Sequence, residues 1–254
     1  MASLVKLYGR QFRQHLSYHP VWQPGTAVVP GDWGVLHDGV FTRQGHVTDL
    51  PRVPRPALRH NRIEAPQRFS VGVSFRASAG VAAKPDPSLA VEGSLRFERS
   101  GAVVYSARDL TATRMDNLAT VLSALPWLSK PWTEDTVLVT EVIAAERAGF
   151  ALAESDGGEV KVSGKASALS ALDVADASVA FGASSAATFA MRLQHGKKPH
   201  PVALVLYKAE TGIFGRPKPP APVGGPGMFG ADAGDEPAEP ELPYRELSPF
   251  EVED

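Results

Sequence analysis

The sequence predicts an α+β fold: a twisted, mainly antiparallel sheet with long hairpins and a few flanking helices. Three observations predict it. Phe69, Val71, Val73 and Phe75, and then Leu89, Val91, Leu95 and Phe97, are apolar positions with Ser, Gly, Arg and Glu between them. That period of two belongs to a strand with one buried face. The pattern recurs at Phe150 and Leu152, and again at Val179, Phe181, Phe189 and Met191. Helical spacing is confined to two short stretches, one near the N-terminus and one around residues 115–125.

Taken in order, Leu4, Leu7, Tyr8, Phe12 and Leu16 predict an amphipathic helix with Lys6, Arg10 and Arg13 outside. Val21 to Phe41 is punctuated by Pro24-Gly25, Pro30-Gly31 and Asp38-Gly39, which predicts short strands joined by tight turns. Residues 51–68 interleave prolines with Arg52, Arg55, Arg59, Arg62 and Arg68 and read as an extended, solvated basic connector. The first long hairpin spans 69–105 and turns at Lys84-Pro85-Asp86-Pro87. Met115, Leu118, Val121, Leu122 and Leu125 mark a helical face that Pro126 ends. Trp127 and Trp132 read as loop anchors. Thr136 to Ile143 is rich in β-branched residues and reads as a buried strand. A second hairpin covers about 149–193, with a turn at Ser155-Asp156-Gly157-Gly158 and a strand leading through Ala175, Ala177 and Val179. Val202 to Tyr207 is a last buried strand, and Gly215 closes the folded part.

Composition divides the chain into a β-rich domain, 1–216, and a Pro/Gly-rich acidic tail, 217–254, predicted to be flexible. The tail holds nine acidic and two basic residues, which leaves the body with 24 basic and 19 acidic ones. A weakly basic body beside an acidic tail suits mutual attraction or an anionic surface, with a plainly solvated tail as the commoner meaning of the pattern. Leu242, Tyr244, Leu247, Phe250 and Val252 are spaced apolar residues among acids, the pattern of a docking peptide for its own body or for a partner.

Chemistry is sparse. The chain has no cysteine, which excludes disulfides, thiolate metal sites and cysteine catalysis. No secretory apolar run opens it, so a cytoplasmic location is expected. Nucleophile elbows, phosphate loops and dinucleotide fingerprints are absent. His15 and His19 have i, i+4 spacing, but no acidic ligand stands near them, and they read as surface histidines. Asp32, Asp38, Asp49 and Glu64 form no constellation with a histidine, and no basic stripe is interleaved with aromatics as a nucleic-acid binder needs. No catalytic, cofactor-binding or metal-ligating residue is assigned, and a non-enzymatic protein is expected. Trp33 reads as exposed by its turn context, with packing at the edge of a small core as its commoner role.

The order of these parts resembles the bacterial gasdermins, a pore-forming family. The resemblance lies in residues Asp38 to Leu50, Phe69 to Phe75, Asp135 to Ile143 running on to Gly158, and Pro201 to Tyr207, and it spans roughly residues 4–214. The chain departs from the family in lacking a cysteine near the N-terminus and in carrying a long acidic tail. The resemblance implies a gasdermin-like N-domain and an autoinhibited precursor. An activating protease would release the tail, and the freed domain would form a homo-oligomeric pore. The protein would move from the cytoplasm to the inner membrane and meet membrane lipid there, in antiphage defence and cell death. The insertion candidates are then the alternating residues named above, and the tail residues would cover them before activation. The alternative is a β-rich scaffold or adaptor whose C-terminal peptide recruits a partner protein.

Overall fold

The computed structural model describes residues 2–22, 26–37, 39–78, 86–126, 135–185, 187–193, 198–209 and 244–246. The chain is a mixed α+β structure dominated by antiparallel strands. Helix α1 (Ala2–Leu16) is followed by β1 (His19–Pro20), β2 (Asp32–His37), β3 (Val40–His46), β4 (Leu58–Ile63), β5 (Gln67–Val71) and β6 (Val73–Ala77). Then come β7 (Ala90–Phe97), β8 (Val103–Met115), α2 (Leu118–Ala124), β9 (Thr136–Ala153), β10 (Gly158–Lys165) and α3 (Ala166–Ser170). The chain ends with β11 (Ala180–Ser184), β12 (Thr188–Leu193), β13 (His200–Ala209) and β14 (Tyr244–Glu246).

Among the described residues ten strands form one sheet and four form a second, in the order β11-β10-β7-β6. The spine of the large sheet is β9, 18 residues long. Its first half pairs with β2 and β13, its second half with β12, and β8 runs beside it from Arg114 to Val103. The expected strand at 136–143 and the first strand of the second hairpin are therefore one element. Near-continuous burial along β9 explains why no turn interrupts it.

Several expectations are corrected. The basic connector contains β4, which pairs with β8 from Leu58↔Met115 to Ile63↔Leu110. Its residues are mostly exposed, so an edge strand tolerates the arginines and shows no apolar alternation. Met115 ends β8 rather than opening a helix, and α2 begins at Leu118. Trp33 is buried in β2, within a core that includes Val47, Leu122 and Leu138, so packing is its role and exposure is not. His19 is buried in β1, and His15 stacks on Phe69 with ring centroids 4.9 Å apart. The Asp86 carboxylate accepts from the Ser88 backbone N–H, which forms the turn before β7. Pro24-Gly25, Asp38, Lys84-Pro85, Trp127, Trp132, Gly215 and the linker at 217–234 lie outside the described residues.

Candidate functional site

Four chain segments run from the large sheet into the small one: β5 into β6, β8 from β7, β9 into β10, and β12 from β11. Their neighbour order is the same in both sheets, β5-β8-β9-β12 in one and β6-β7-β10-β11 in the other. They form a single four-strand antiparallel ribbon, bent once across its width. The two central segments hold one register throughout, from Ala90↔Lys165 to Arg114↔Glu141. On the first outer strand Val71 faces Val103 and Val73 faces Phe97, so Gly72 stands alone against residues 98–102. That excess is even, and it leaves the two faces in phase. Gly72 turns with φ +62° and Gly101 with φ +77°, conformations that a side chain disfavours.

Every segment carries its large apolar residues in one phase. Cross-strand rows in the large sheet are Phe69↔Tyr105↔Phe150↔Met191 and Val71↔Val103↔Leu152↔Phe189. Rows in the small sheet are Val73↔Phe97↔Gly158 and Phe75↔Leu95↔Val160. Extended end to end, the segments would place all of these on a single face. The folded protein divides that face between two cores.

Helix α1 covers the large-sheet part. Tyr8 stacks on Phe150 at 4.9 Å between centroids, Phe12 meets Tyr105 edge-on at 5.0 Å, and Trp22 reaches Phe189 at 6.0 Å. The helix does so because Leu4, Leu7, Tyr8, Phe12 and Leu16 lie on its inward stripe. Its fit has a defect: the hydroxyls of Tyr8 and Tyr105 are buried with no hydrogen-bond partner among the described residues. Burial, with Tyr105 nearby, pushes the Tyr8 phenol well up.

The small-sheet part packs in a second core. Leu95, Phe97, Val160 and Val162 meet α3, Val174 and Val179. They also meet Val104, Ala151 and Ala153, which lie on the opposite face of the large sheet from Tyr105 and Phe150. The strands thus exchange inward and outward faces at the bends.

The segment between β10 and β11 folds back over the large sheet and is fastened there. The Arg108 guanidinium donates to the buried Asp173 carboxylate and lies 3.9 Å from Asp176. The Ser106 hydroxyl oxygen accepts from the Ala175 N–H at 2.6 Å, and Arg192 donates to the Asp176 carbonyl at 2.8 Å. A Cβ on Gly149 would meet the Val174 carbonyl oxygen at 2.5 Å, so only glycine admits this approach. Beside the fastening, Arg147 donates to Asp109 at 2.6 Å. The hydrogen bond to Asp173 raises Arg108 above its ordinary value, and the one from Arg147 lowers the Asp109 carboxyl. Burial pushes Asp176 up, but bonds from the Ser178 backbone and hydroxyl, with Arg108 and Lys165 nearby, outweigh it and leave the carboxyl lowered.

The predicted insertion residues fall on this ribbon with two qualifications. Phe69, Val71, Val73, Phe75, Val91, Leu95, Phe97, Phe150, Leu152, Phe181, Phe189 and Met191 lie in strands. Leu89 is exposed in the turn before β7, and Val179 is buried in the loop before β11. An Asp176–Ser178 turn, with the Ser178 N–H donating to Asp176 at 2.9 Å, keeps Ala175 and Ala177 out of the predicted strand. Of the five tail residues, Tyr244 alone is within the described residues. Its strand β14 pairs with β13, Ala209↔Tyr244 to Tyr207↔Glu246. Asp32 pairs with Arg43 at 2.7 Å and accepts from the Val29 N–H, a structural role. No cluster of metal-ligating side chains occurs among the described residues, and no helix there is long and apolar enough to cross a membrane. Sequence reasoning missed the Arg108–Asp173 fastening and the cover by α1.

No protein-family model matches the chain, and no curated protein matches it. Among solved structures, a bacterial gasdermin from Bradyrhizobium tropiciagri aligns with a TM-score of 0.35 and 14% identity, covering 82% of this chain and 88% of that one. The likeness is loose and defines no family for the chain; the register and faces of the ribbon carry the functional reading.

Proposed function

We propose that this chain is the closed precursor of a membrane pore, in which the bent ribbon straightens into four spanning strands. The observation that carries the reading is the phase of the ribbon. Large apolar residues keep one face through all four bends, and the folded form buries that face in two separate cores. A straight ribbon would present the same residues as one continuous apolar face, as a barrel strand that alternates between lipid and lumen requires. The small-sheet half is the spanning part. Arg99, Glu154 and Asp156 stand on the same phase at the bends, so they mark the membrane surface and the apolar band lies beyond them. Strand β7 has 8 residues, about 27 Å of strand at the usual rise, which at a barrel strand's tilt of about 40° rises roughly 20 Å toward the apolar band of about 25 Å.

On this reading the free edges of the ribbon, β5–β6 and β11–β12, join protomers into a homo-oligomer. Membrane lipid replaces the covers, and a protease that cuts the tail linker starts the process. The pairing of β14 with β13 supports a tail that docks on its own body. The protein starts in the cytoplasm and acts at the inner membrane, where loss of ion gradients kills the cell. That outcome is the defence role the sequence resemblance implies.

The test uses the full chain with one protease recognition sequence inserted between Gly224 and Gly225. Cleavage after folding should release dye from anionic liposomes, with the protein in the membrane pellet. If the cleaved protein stays soluble and the liposomes keep their dye, the reading is wrong.

A further inference from the structure

We propose that the pore conducts anions in preference to cations, through a row of paired cations on the polar face of the ribbon. The inference rests on the pore reading and adds its selectivity. All of the rows concerned are already formed in the small sheet, so their order does not depend on what the bends do.

Register gives the polar face row by row. Ser74, Arg96 and Glu159 share one row, where Arg96 and Glu159 are direct cross-strand partners and offset each other. The next row is Arg76, Ser94 and Lys161. A Cβ on Gly182 would lie 3.3 Å from that of Lys161, which makes Gly182 its fourth member. Two cations stand in that row with a serine and a glycine and no acid. Glu92 with Ser163, and Ala90 with Lys165, complete the face toward the tips. Arg76, Arg96, Lys161 and Lys165 thus stand against Glu92 and Glu159.

Neighbouring strands lie about 4.8 Å apart, so Arg76 and Lys161, two strands apart, are separated by roughly 10 Å. In a homo-oligomer the row repeats once per protomer and closes into a ring. Rings of Arg or Lys side chains favour anions in a water-filled pore. Because the lumen is open, the preference is carried through solvent. It grows as salt falls and fades near 1 M, where screening acts over about 3 Å.

The experiment cleaves the full chain at the inserted site beside a planar bilayer and measures the reversal potential in a tenfold KCl gradient. The expected result is a potential of the sign for chloride permeation that shrinks as both solutions are made more concentrated. The double variant Arg76→Glu, Lys161→Glu should reverse that sign. Both side chains are exposed in the precursor, so an unchanged melting temperature checks its fold. Conductance from the unsubstituted protein at zero or cation-side reversal overturns the selectivity and leaves the pore standing. Absence of conductance overturns the pore reading and the selectivity with it.

Discussion

Replacing Arg108 by methionine removes the cation that fastens the 166–179 segment to the large sheet while keeping an unbranched side chain in its place. The Asp173 side chain is 6% exposed and that of Arg108 34%. Breaking a fully buried pair from one side costs about 3–5 kcal/mol, whereas an exposed pair is worth about 0–1 kcal/mol. With one partner buried and the other reached by water, the cost falls at about 2 kcal/mol, or roughly 30-fold in a local opening equilibrium. Amide hydrogen exchange reads it directly. Residues 166–179 should exchange about 30-fold faster in the variant, and α1, on the other face, should stay protected. Asp173→Asn keeps an acceptor for Arg108 and should cost less. The two substitutions together should cost less than their sum, because each removes the same contact. Equal exchange across 166–179 in the two proteins, with an unchanged urea midpoint, would show that the Arg108 pair contributes nothing to holding the segment.

Two further outcomes are expected. Tyr8→Phe removes a buried hydroxyl with no partner among the described residues and should stabilise the closed form by about 1 kcal/mol, raising the melting temperature by about 2–4 °C and slowing dye release after cleavage; a lower melting temperature would mean that the hydroxyl is satisfied. Asp109 and Asp176 both titrate below the ordinary 3.8 in the folded chain, so the stability they contribute is present above that value and is lost as pH falls through their folded values. Protection factors across 166–179, which divide out the pH dependence of the unfolded amide, should therefore fall on acidification below about pH 4, and protection factors that are flat down to about pH 3 would contradict this.

The strands were legible where a period of two met burial on one side. Phe69 to Phe75 and Leu95 to Phe97 were read correctly as alternating, and so were Phe150 and Leu152. The bend between the sheets was not legible. Gly72 sits between Val71 and Val73 without disturbing the alternation, so the change of sheet leaves no trace in the pattern. Strand β4 was hidden for the opposite reason: an exposed edge places no constraint on Arg59 and Arg62. Val179 was assigned to a strand because Ala175, Ala177 and Val179 alternate, although Asp176 two residues before Ser178 is itself a turn signal. The Arg108–Asp173 contact joins residues 65 positions apart, and nothing local in one sequence selects that partner among so many carboxylates.

The two covers of the ribbon are held by unlike forces, and that difference bears on how it opens. The 166–179 segment packs apolar residues in the second core and adds ion pairs and hydrogen bonds to its backbone. Helix α1 is held by aromatic contact over two hydroxyls with no partner among the described residues, and its trailing end is tied to the sheet by β1, through His19↔Leu204 and Pro20↔Ala203, and by the Val21 N–H, which donates to the Val202 carbonyl at 3.1 Å. The same outer edge of β13 carries β14 a few residues further along. On the proposed reading, cleavage of the tail therefore acts on the edge that anchors α1 and not on the fastening at Arg108. Departure of α1 alone would expose the row from Phe69 to Met191, which water opposes. Lipid removes that penalty, so opening is conditional on a membrane even after the tail is cut.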